Sequence, residues 1–209
     1  MAGRKYDASW AETATMRDGS SIELRVLRVT DRDELYAAFH RLSPESRYRR
    51  FFSDTVELSS EMLDYLTDLD GYDHFALVAH RASADLKSDV GVGVARFIRL
   101  KREPQIAEAA ITVTDDAQGI GLGRVLLSRL REAALEREIV CFRTSLLGSN
   151  DAMAKLVSGG VVHESDGIVV VIDVPLTEPG EPTLYKLLRM AAARVATWVR
   201  RFGSTGDSA

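Results

Sequence analysis

The stretch IAEAAITVTDDAQGIGLGRVLL, residues 106–127, decides how this chain reads. Its first part, IAEAAITVT (106–114), has the small and β-branched side chains of a buried strand. Its last part, from Leu122, opens a helix in which Leu126, Leu127, Leu130, Ala133, Ala134 and Arg137 recur at helical spacing. Between them Gly119, Gly121 and Gly123 alternate. Glycine accepts positive φ and lets backbone N–H groups approach a ligand without a Cβ in the way. A helix N-terminus adds unpaired donors and a partial positive charge. The turn therefore reads as an anion site, suited to a phosphate or pyrophosphate, with Arg124 adding a cationic side chain in the first turn. A P-loop would need G-x-x-x-x-G-K-[ST], which is absent, and a dinucleotide fingerprint would need glycine where Arg124 stands.

Outward from this segment the periodicity sorts the chain. Upstream, HFALVAHR (74–81) and VGVGVARFIRL (90–100) alternate with period two and form an antiparallel meander with 106–114. Before them, SIELRVLRV around Ile22–Leu27 reads as a strand, followed by about three short helices. Thr30 and Asp31 cap the first, Ser43-Pro44-Glu45 opens the second and Ser59-Ser60-Glu61 the third. Downstream come the helix 122–138, a strand at 140–147, a helix at 150–159 and strands near 161–164 and 167–174. The fold class is α/β of the α+β type: a mixed, mostly antiparallel, twisted sheet flanked by helices, with an extra C-terminal amphipathic helix.

At this point a family resemblance becomes explicit. Gln118-Gly119-Ile120-Gly121-Leu122-Gly123 fits the Q/R-x-x-G-x-G/A signature of the GNAT acetyltransferase superfamily, and the order of elements over about residues 20–175 is similar to that family's. The resemblance implies that acetyl-CoA is the co-substrate and that amides of the loop hold its pyrophosphate. It implies that Ile111, Thr112 and Val113 face the pantetheine arm and that Gln118, Gly119, Gly121, Gly123, Arg124 and Asn150 complete the cofactor site. Asn150, with Met153 and Leu156, resembles the family's N-x-x-M/A-x-x-L segment. Val157 stands where many members carry the tyrosine that protonates the leaving thiolate.

Glu108 is the candidate general base. An ammonium must lose a proton before it attacks a thioester, and a carboxylate in partly apolar surroundings can take it near neutral pH. Ile106, Ala107, Ala109, Ala110 and Ile111 flank Glu108 in sequence. A-E-x-A here, together with LSPESRYRRFF (42–52), resembles the bacterial protein-lysine acetyltransferase branch, in which a glutamate at this position is the base. The expected function is direct acetyl transfer to an amine, with protein lysine the first candidate acceptor and a small amine the second. A non-catalytic acyl-CoA sensor is the competing class. Arg47, Arg49 and Arg50 read as solvated or paired charges, Cys141 as a core residue, and Asp115 and Asp116 as turn-shaping residues.

Composition sets the remaining bounds. The chain has 209 residues, 45% of them hydrophobic and 28% charged, with a net charge of −4. No global basic field exists to attract nucleic acid. A single cysteine favours a reducing compartment, the four histidines show no metal spacing, and the N-terminus lacks the apolar core of a secretory signal. The expected location is cytoplasmic. Residues 1–20 read as an N-terminal arm carrying Trp10, 21–175 as the GNAT domain, 176–183 as a proline-rich linker, 184–202 as a helix and 203–209 as a tail. That last helix has one apolar stripe, from Leu184 to Phe202, and no acidic residue. It is suited either to docking on the core or on a second subunit, or to lying at the periphery of an anionic membrane.

Overall fold

Strand β5 (Glu103–Val113) is the spine of the molecule, because each of its two faces carries a different layer. The computed structural model describes residues 5–53, 57–81 and 90–176. The eight strands among the described residues form one sheet in the order β1-β2-β3-β4-β5-β6-β8-β7. They are β1 (Ala11–Thr15), β2 (Ser21–Val26), β3 (His74–Arg81), β4 (Val90–Leu100), β5, β6 (Cys141–Leu147), β7 (Val161–Ser165) and β8 (Val169–Pro175). All neighbours are antiparallel except β5 and β6, which run parallel. The helices are α1 (Arg32–His40), α2 (Pro44–Phe51), α3 (Ser60–Thr67), α4 (Leu122–Leu135) and α5 (Asp151–Leu156).

Alternation along the strands explains the layering. Phe75, Leu77 and Ala79 of β3, Ala95 and Phe97 of β4, and Ala107 and Ala109 of β5 face one side and are buried with Leu122, Leu126, Leu130 and Ala133 of α4. Fully burying a leucine of this kind contributes roughly 1.5–3 kcal/mol. The intervening residues turn the other way. Val78 and His80 of β3, Val94 and Arg96 of β4, and Ala110 and Thr112 of β5 line a cavity under α1–α3. Those three helices keep a small core of their own in Phe39, Leu42, Leu58 and Leu63. Ser43 and Ser59 act as N-caps, each accepting a backbone N–H from three residues on at 3.2 Å. Asp31 does not cap α1 with its side chain. It is buried and accepts from Arg25 Nη1 and Nη2 at 2.7 and 2.8 Å and from Arg28 N–H at 2.8 Å.

Within the arm expected over residues 1–20 Trp10 packs against the core, but the segment is not a loose polar arm. Residues 11–15 are β1, paired with β2 along its length. Tyr6 is fully buried and its ring lies 4.7 Å from that of Trp10. The reason lies on the far side of α4. Glu132 accepts from the Tyr6 hydroxyl at 2.6 Å, Glu136 accepts from Tyr6 N–H at 3.1 Å, and Arg129 pairs with Glu12 at 2.6 Å. Arg137, also buried, donates to the carbonyl oxygens of Tyr6, Gly71 and Ala133 at 2.7–2.8 Å and packs on the Phe75 ring. These polar contacts, absent from any local period, convert an apparent arm into an edge strand. At the other end Leu176, placed in the linker by composition, is buried and donates its N–H to Val140 O at 2.8 Å. The rest of that linker, the helix 184–202 and the tail lie outside the described residues. No helix among the described residues is long and apolar enough to cross a membrane.

Replacing Arg137 with methionine keeps the volume and removes the donors to three carbonyl oxygens. The expected loss is about 2–4 kcal/mol of unfolding free energy, read by urea titration.

Candidate active site

Strands β5 and β6 pair only over Ile106–Glu108 and Cys141–Arg143. Beyond Glu108 both strands continue, but each has its partner on the outer side: β4 for β5, and β8 for β6 over all seven residues of β6. The inner edges part. Thr114 N–H bonds Val92 O at 3.0 Å, one step past the Gly93–Val113 pair of the ladder. In an antiparallel ladder alternate residues point their N–H and C=O to the same side. Thr112 therefore spends its backbone on Val94 of β4, whereas Ile111 and Val113 turn theirs toward the gap. Of the three strand residues expected to meet a pantetheine arm, these two present main chain to it, and Thr112 presents only its side chain, on the opposite layer.

The gap is a cleft. It is walled by Glu108 to Val113 of β5, by Thr144, Ser145 and Leu146 of β6, by Asn150, Ala152, Met153 and Leu156 around α5, by Gln118 and Gly123, and by Ser46, Arg49, Arg50 and Phe52 of α2 and its end. The structure thus brings together Glu108, Ile111, Thr112, Val113, Gln118, Gly123 and Asn150. Gly119, Gly121 and Arg124 do not line the cleft; they belong to the turn that leads from it into α4.

That turn has the form the sequence required. Gly119 and Gly121 have φ of +78° and +99°, which a side chain would strain, and Gly121 is the N-cap of α4. No hydrogen-bond acceptor is found among the described residues for the N–H groups of Gly119, Ile120, Gly121, Leu122 and Gly123. Five consecutive donors at a helix N-terminus fit a diphosphate. A Cβ on Gly123 would meet Leu156 Cδ1 at 3.3 Å, so the helix start and α5 approach as closely as a glycine permits. Arg124 is exposed in the first turn.

Two residues of the site hold their neighbours as well as facing the cleft. Gln118 Nε2 donates to Val113 O and to Ser46 Oγ, both at 3.2 Å, tying β5 to α2. Asn150 caps α5 by accepting Met153 N–H at 3.1 Å on Oδ1, which leaves its NH2 toward the cleft. Asp115 shapes more than its own turn. It accepts from Ser43 N–H at 2.9 Å, and from the Ser43 and Ser46 hydroxyls at 2.8 Å, so the start of α2 is fastened beside the glycine turn. Burial works against the Asp115 carboxylate, but these hydrogen bonds outweigh it and hold its pKa below the ordinary aspartate value.

Glu108 stands exposed in the mouth of the cleft. The apolar flank read from its sequence neighbours does not enclose it, because Ala107 and Ala109 point through the sheet into the α4 core. Its company is α2. Of the three arginines there, Arg47 lies over the Phe39 ring and donates to Leu42 O and His40 O, and Arg49 pairs with Glu45 at 2.6 Å, as expected. Arg50 departs from that expectation: it is half-buried, lines the cleft and has no ion pair among the described residues. Burial lowers its pKa, against an opposing pull from the Glu108 charge. The spacing Ser46, Arg49, Arg50 (i, i+3, i+4) was the available signal that one face of α2 looks inward. Val157, at the position where the resemblance leads one to expect tyrosine, is buried in the core and has no group to donate.

A sheet opened in this way, with a glycine-rich helix start at the opening, defines the GNAT class of acyl-CoA-binding fold. No family model matches the chain. Acetyltransferase PA5475 of Pseudomonas aeruginosa is 36% identical over 126 residues, 60% of this chain and 64% of that protein. Acetyltransferase Pat of Mycolicibacterium smegmatis is 34% identical over 187 residues, 86% of this chain and 54% of that protein. The chain thus spans between half and two-thirds of the length of these curated relatives. Among solved structures, the GNAT domain of S. lividans PAT superposes with a TM-score of 0.72 at 28% identity, over 82% of this chain and 99% of that domain. The chain belongs to the GNAT superfamily.

One titration follows from the buried layer beside the cleft. Burial, and then the adjacent charge of Arg96, push the His74 imidazole down to about 4. Unfolded, it titrates near its ordinary value of 6.5. The folded state therefore binds fewer protons between these values. The contribution is complete above about pH 6.5 and is lost as pH falls toward 4, up to about 3 kcal/mol. Unfolding free energy measured from pH 7 to 4 should fall accordingly, and His74→Gln should flatten that slope.

Proposed function

We propose that this protein is an acetyl-CoA-dependent N-acetyltransferase that transfers acetyl directly to a primary amine. The observation that carries this reading is the parted β5–β6 edge, which sets strand-edge backbone and one carboxylate in a single cleft, with five unused amides in the turn that leads from it. The acetyltransferase names of the two curated relatives support it.

The residues divide the work as follows. The amides of Gly119–Gly123 and the positive end of α4 hold a diphosphate. Ile111 and Val113 offer strand-like pairing to the amide groups of a pantetheine arm. Bound acetyl-CoA supplies an activated acetyl thioester. Val113 N–H, fixed in position by the sheet, is placed to stabilise negative charge developing on a carbonyl oxygen. Glu108, at the mouth, accepts the proton of the incoming ammonium and presents the free amine. A thiol ionises near a pKa of about 8.5, so a thiolate is a leaving group that needs no enzyme acid. The second amine proton balances it, and Val157 costs the reaction little.

A primary amine of a protein lysine is the acceptor that the resemblance at Glu108 and residues 42–52 supports, and the exposed mouth accommodates a side chain approaching from solvent. The cytoplasm is the proposed site of action, where acetyl-CoA and amines meet.

Two measurements test the reading. Acetyl-CoA should raise Tm by mass action, and Gly123→Val, which drives a side chain toward Leu156, should abolish the rise. Glu108→Gln should lower kcat by about 10²–10⁴-fold and leave acetyl-CoA affinity near wild type. Equal losses of affinity and turnover would make Glu108 structural.

A further inference from the structure

The layer under α1–α3 holds a second cavity that the reading above does not use. Arg50, Ala110 and Thr112 line both it and the cleft, so the two are continuous at the face of β5 that carries Glu108. Its walls are mostly apolar, with Leu35, Phe39, Leu42, Leu66 and Val94 among them.

Two guanidinium groups face this apolar space. Arg96 is only 5% exposed. Its Nη1 donates to Leu66 O at 3.2 Å and meets His74 Nε2 at 3.2 Å. Its Nε and Nη2 have no hydrogen-bond partner among the described residues. Arg50 rests on the Phe51 ring, 5.0 Å from its centroid. No carboxylate lies within ion-pairing distance of either among the described residues. Burial, reinforced by the like charge of Arg50, lowers the pKa of Arg96 to about 10. A buried charge without a counter-ion is costly, and two that repel each other are stabilised by an anion that enters between them.

Register fixes where that anion sits relative to the base. Arg96 lies opposite Ala110, and Ile98 opposite Glu108. Arg96 and Glu108 are therefore diagonal neighbours on one sheet face, about 7–8 Å apart at the backbone. An amine at Glu108 and a carboxylate at Arg96 can belong to the same small molecule. The far end of the cavity is polar again. His80 lies four residues along β3 from Ala76, the residue opposite Arg96, which is about 13 Å of strand. There His80 Nε2 meets Glu34 Oε2 at 2.9 Å, while His80 Nδ1 and Glu34 Oε1 are buried without partners.

We propose that this cavity is the acceptor pocket for free aromatic α-amino acids whose rings carry a hydrogen-bonding tip. The α-amine is presented to Glu108, the carboxylate sits on Arg96 and Arg50, the ring fills the apolar walls, and its hydroxyl or indole N–H reaches Glu34 and His80. This rests on the acetyl-transfer reading and sets a free amino acid against the protein lysine as its acceptor. The bond formed is the amide between the α-nitrogen and the acetyl carbon. The bond broken is the thioester C–S. One proton of the ammonium goes to Glu108, a second ends on the CoA sulfur, and the third stays on the amide nitrogen.

The test compares amino acids with their decarboxylated analogues, using the full chain and acetyl-CoA. L-tryptophan and L-tyrosine are set against tryptamine and tyramine, with N-acetyl products read by mass spectrometry. Binding of L-tryptophan alone is measured by calorimetry. The amino acids should exceed the amines in kcat/KM by about 10- to 100-fold, the range for a charged hydrogen bond. Arg96→Gln should erase that preference through KM, while it still acetylates tryptamine and still gains Tm from acetyl-CoA. Amines that are better substrates than the amino acids, or a preference that Arg96→Gln leaves intact, overturn the proposal. If a lysine peptide is acetylated and L-tryptophan is not bound, the pocket assignment fails and the transferase reading stands. If L-tryptophan binds through Arg96 but no amine is acetylated, the transferase reading fails and the carboxylate site stands.

Discussion

The parting of β5 from β6 is the constraint on which the rest of the molecule depends. Three residue pairs hold the two strands together, from Ile106–Cys141 to Glu108–Arg143. Further along, each strand is satisfied from outside, β5 by β4 and β6 by β8. A buried strand edge with no partner is costly in any fold. Here the edge is not buried, because the divergence opens it to a cleft, and what holds it open is packing around the gap. α4 buries Leu122, Leu126 and Leu130 under β3–β5, while α5 meets the start of α4 across Gly123. Any closer approach of α5 would drive Leu156 into the start of α4 at Gly123.

A second set of contacts aligns the opposite wall. Asp115 fastens the start of α2 to the turn before α4, and Gln118 spans from α2 to β5. Both residues follow the strand that carries Glu108. The glycine turn, the carboxylate and the arginine face of α2 are thus positioned by one continuous segment, 108–123, rather than by independent loops. Sites built on short, cross-braced segments of this kind hold their geometry better than sites on free loops.

Much of this was legible in the sequence, for physical reasons. β3, β4 and β5 read as strands because small and β-branched residues suit a sheet covered on both faces, and α4 shows a helical period because one side is buried. Ser43 and Ser59 cap where capping chemistry predicts. What escaped has a common cause: it depends on partners distant in sequence. β1 alternates without large apolar residues, and Tyr6 is buried only because Arg137, Glu132 and Glu136 of the α4 region receive its polar atoms. Arg50 could not be separated from Arg47 and Arg49 by composition, since only the fold decides which of the three finds a partner. The same holds for Glu108. Its neighbours in sequence are apolar, yet alternation sends the adjacent alanines through the sheet and leaves the carboxylate at an open mouth.

The alternation of β5 has a consequence for how specificity can change. Along Ala109–Val113 the strand addresses the cleft edge with peptide groups, which every amino acid shares, and addresses the α1–α3 side with side chains, which differ. Recognition by peptide groups survives substitution as long as the strand survives. Recognition by side chains does not. A single stretch of chain therefore separates an invariant reading head from a variable one. Substitution at Arg96, which lines the α1–α3 cavity and not the cleft, can alter what that side admits without changing the strand edge. In such an arrangement the side-chain face can change one residue at a time while the peptide edge stays intact.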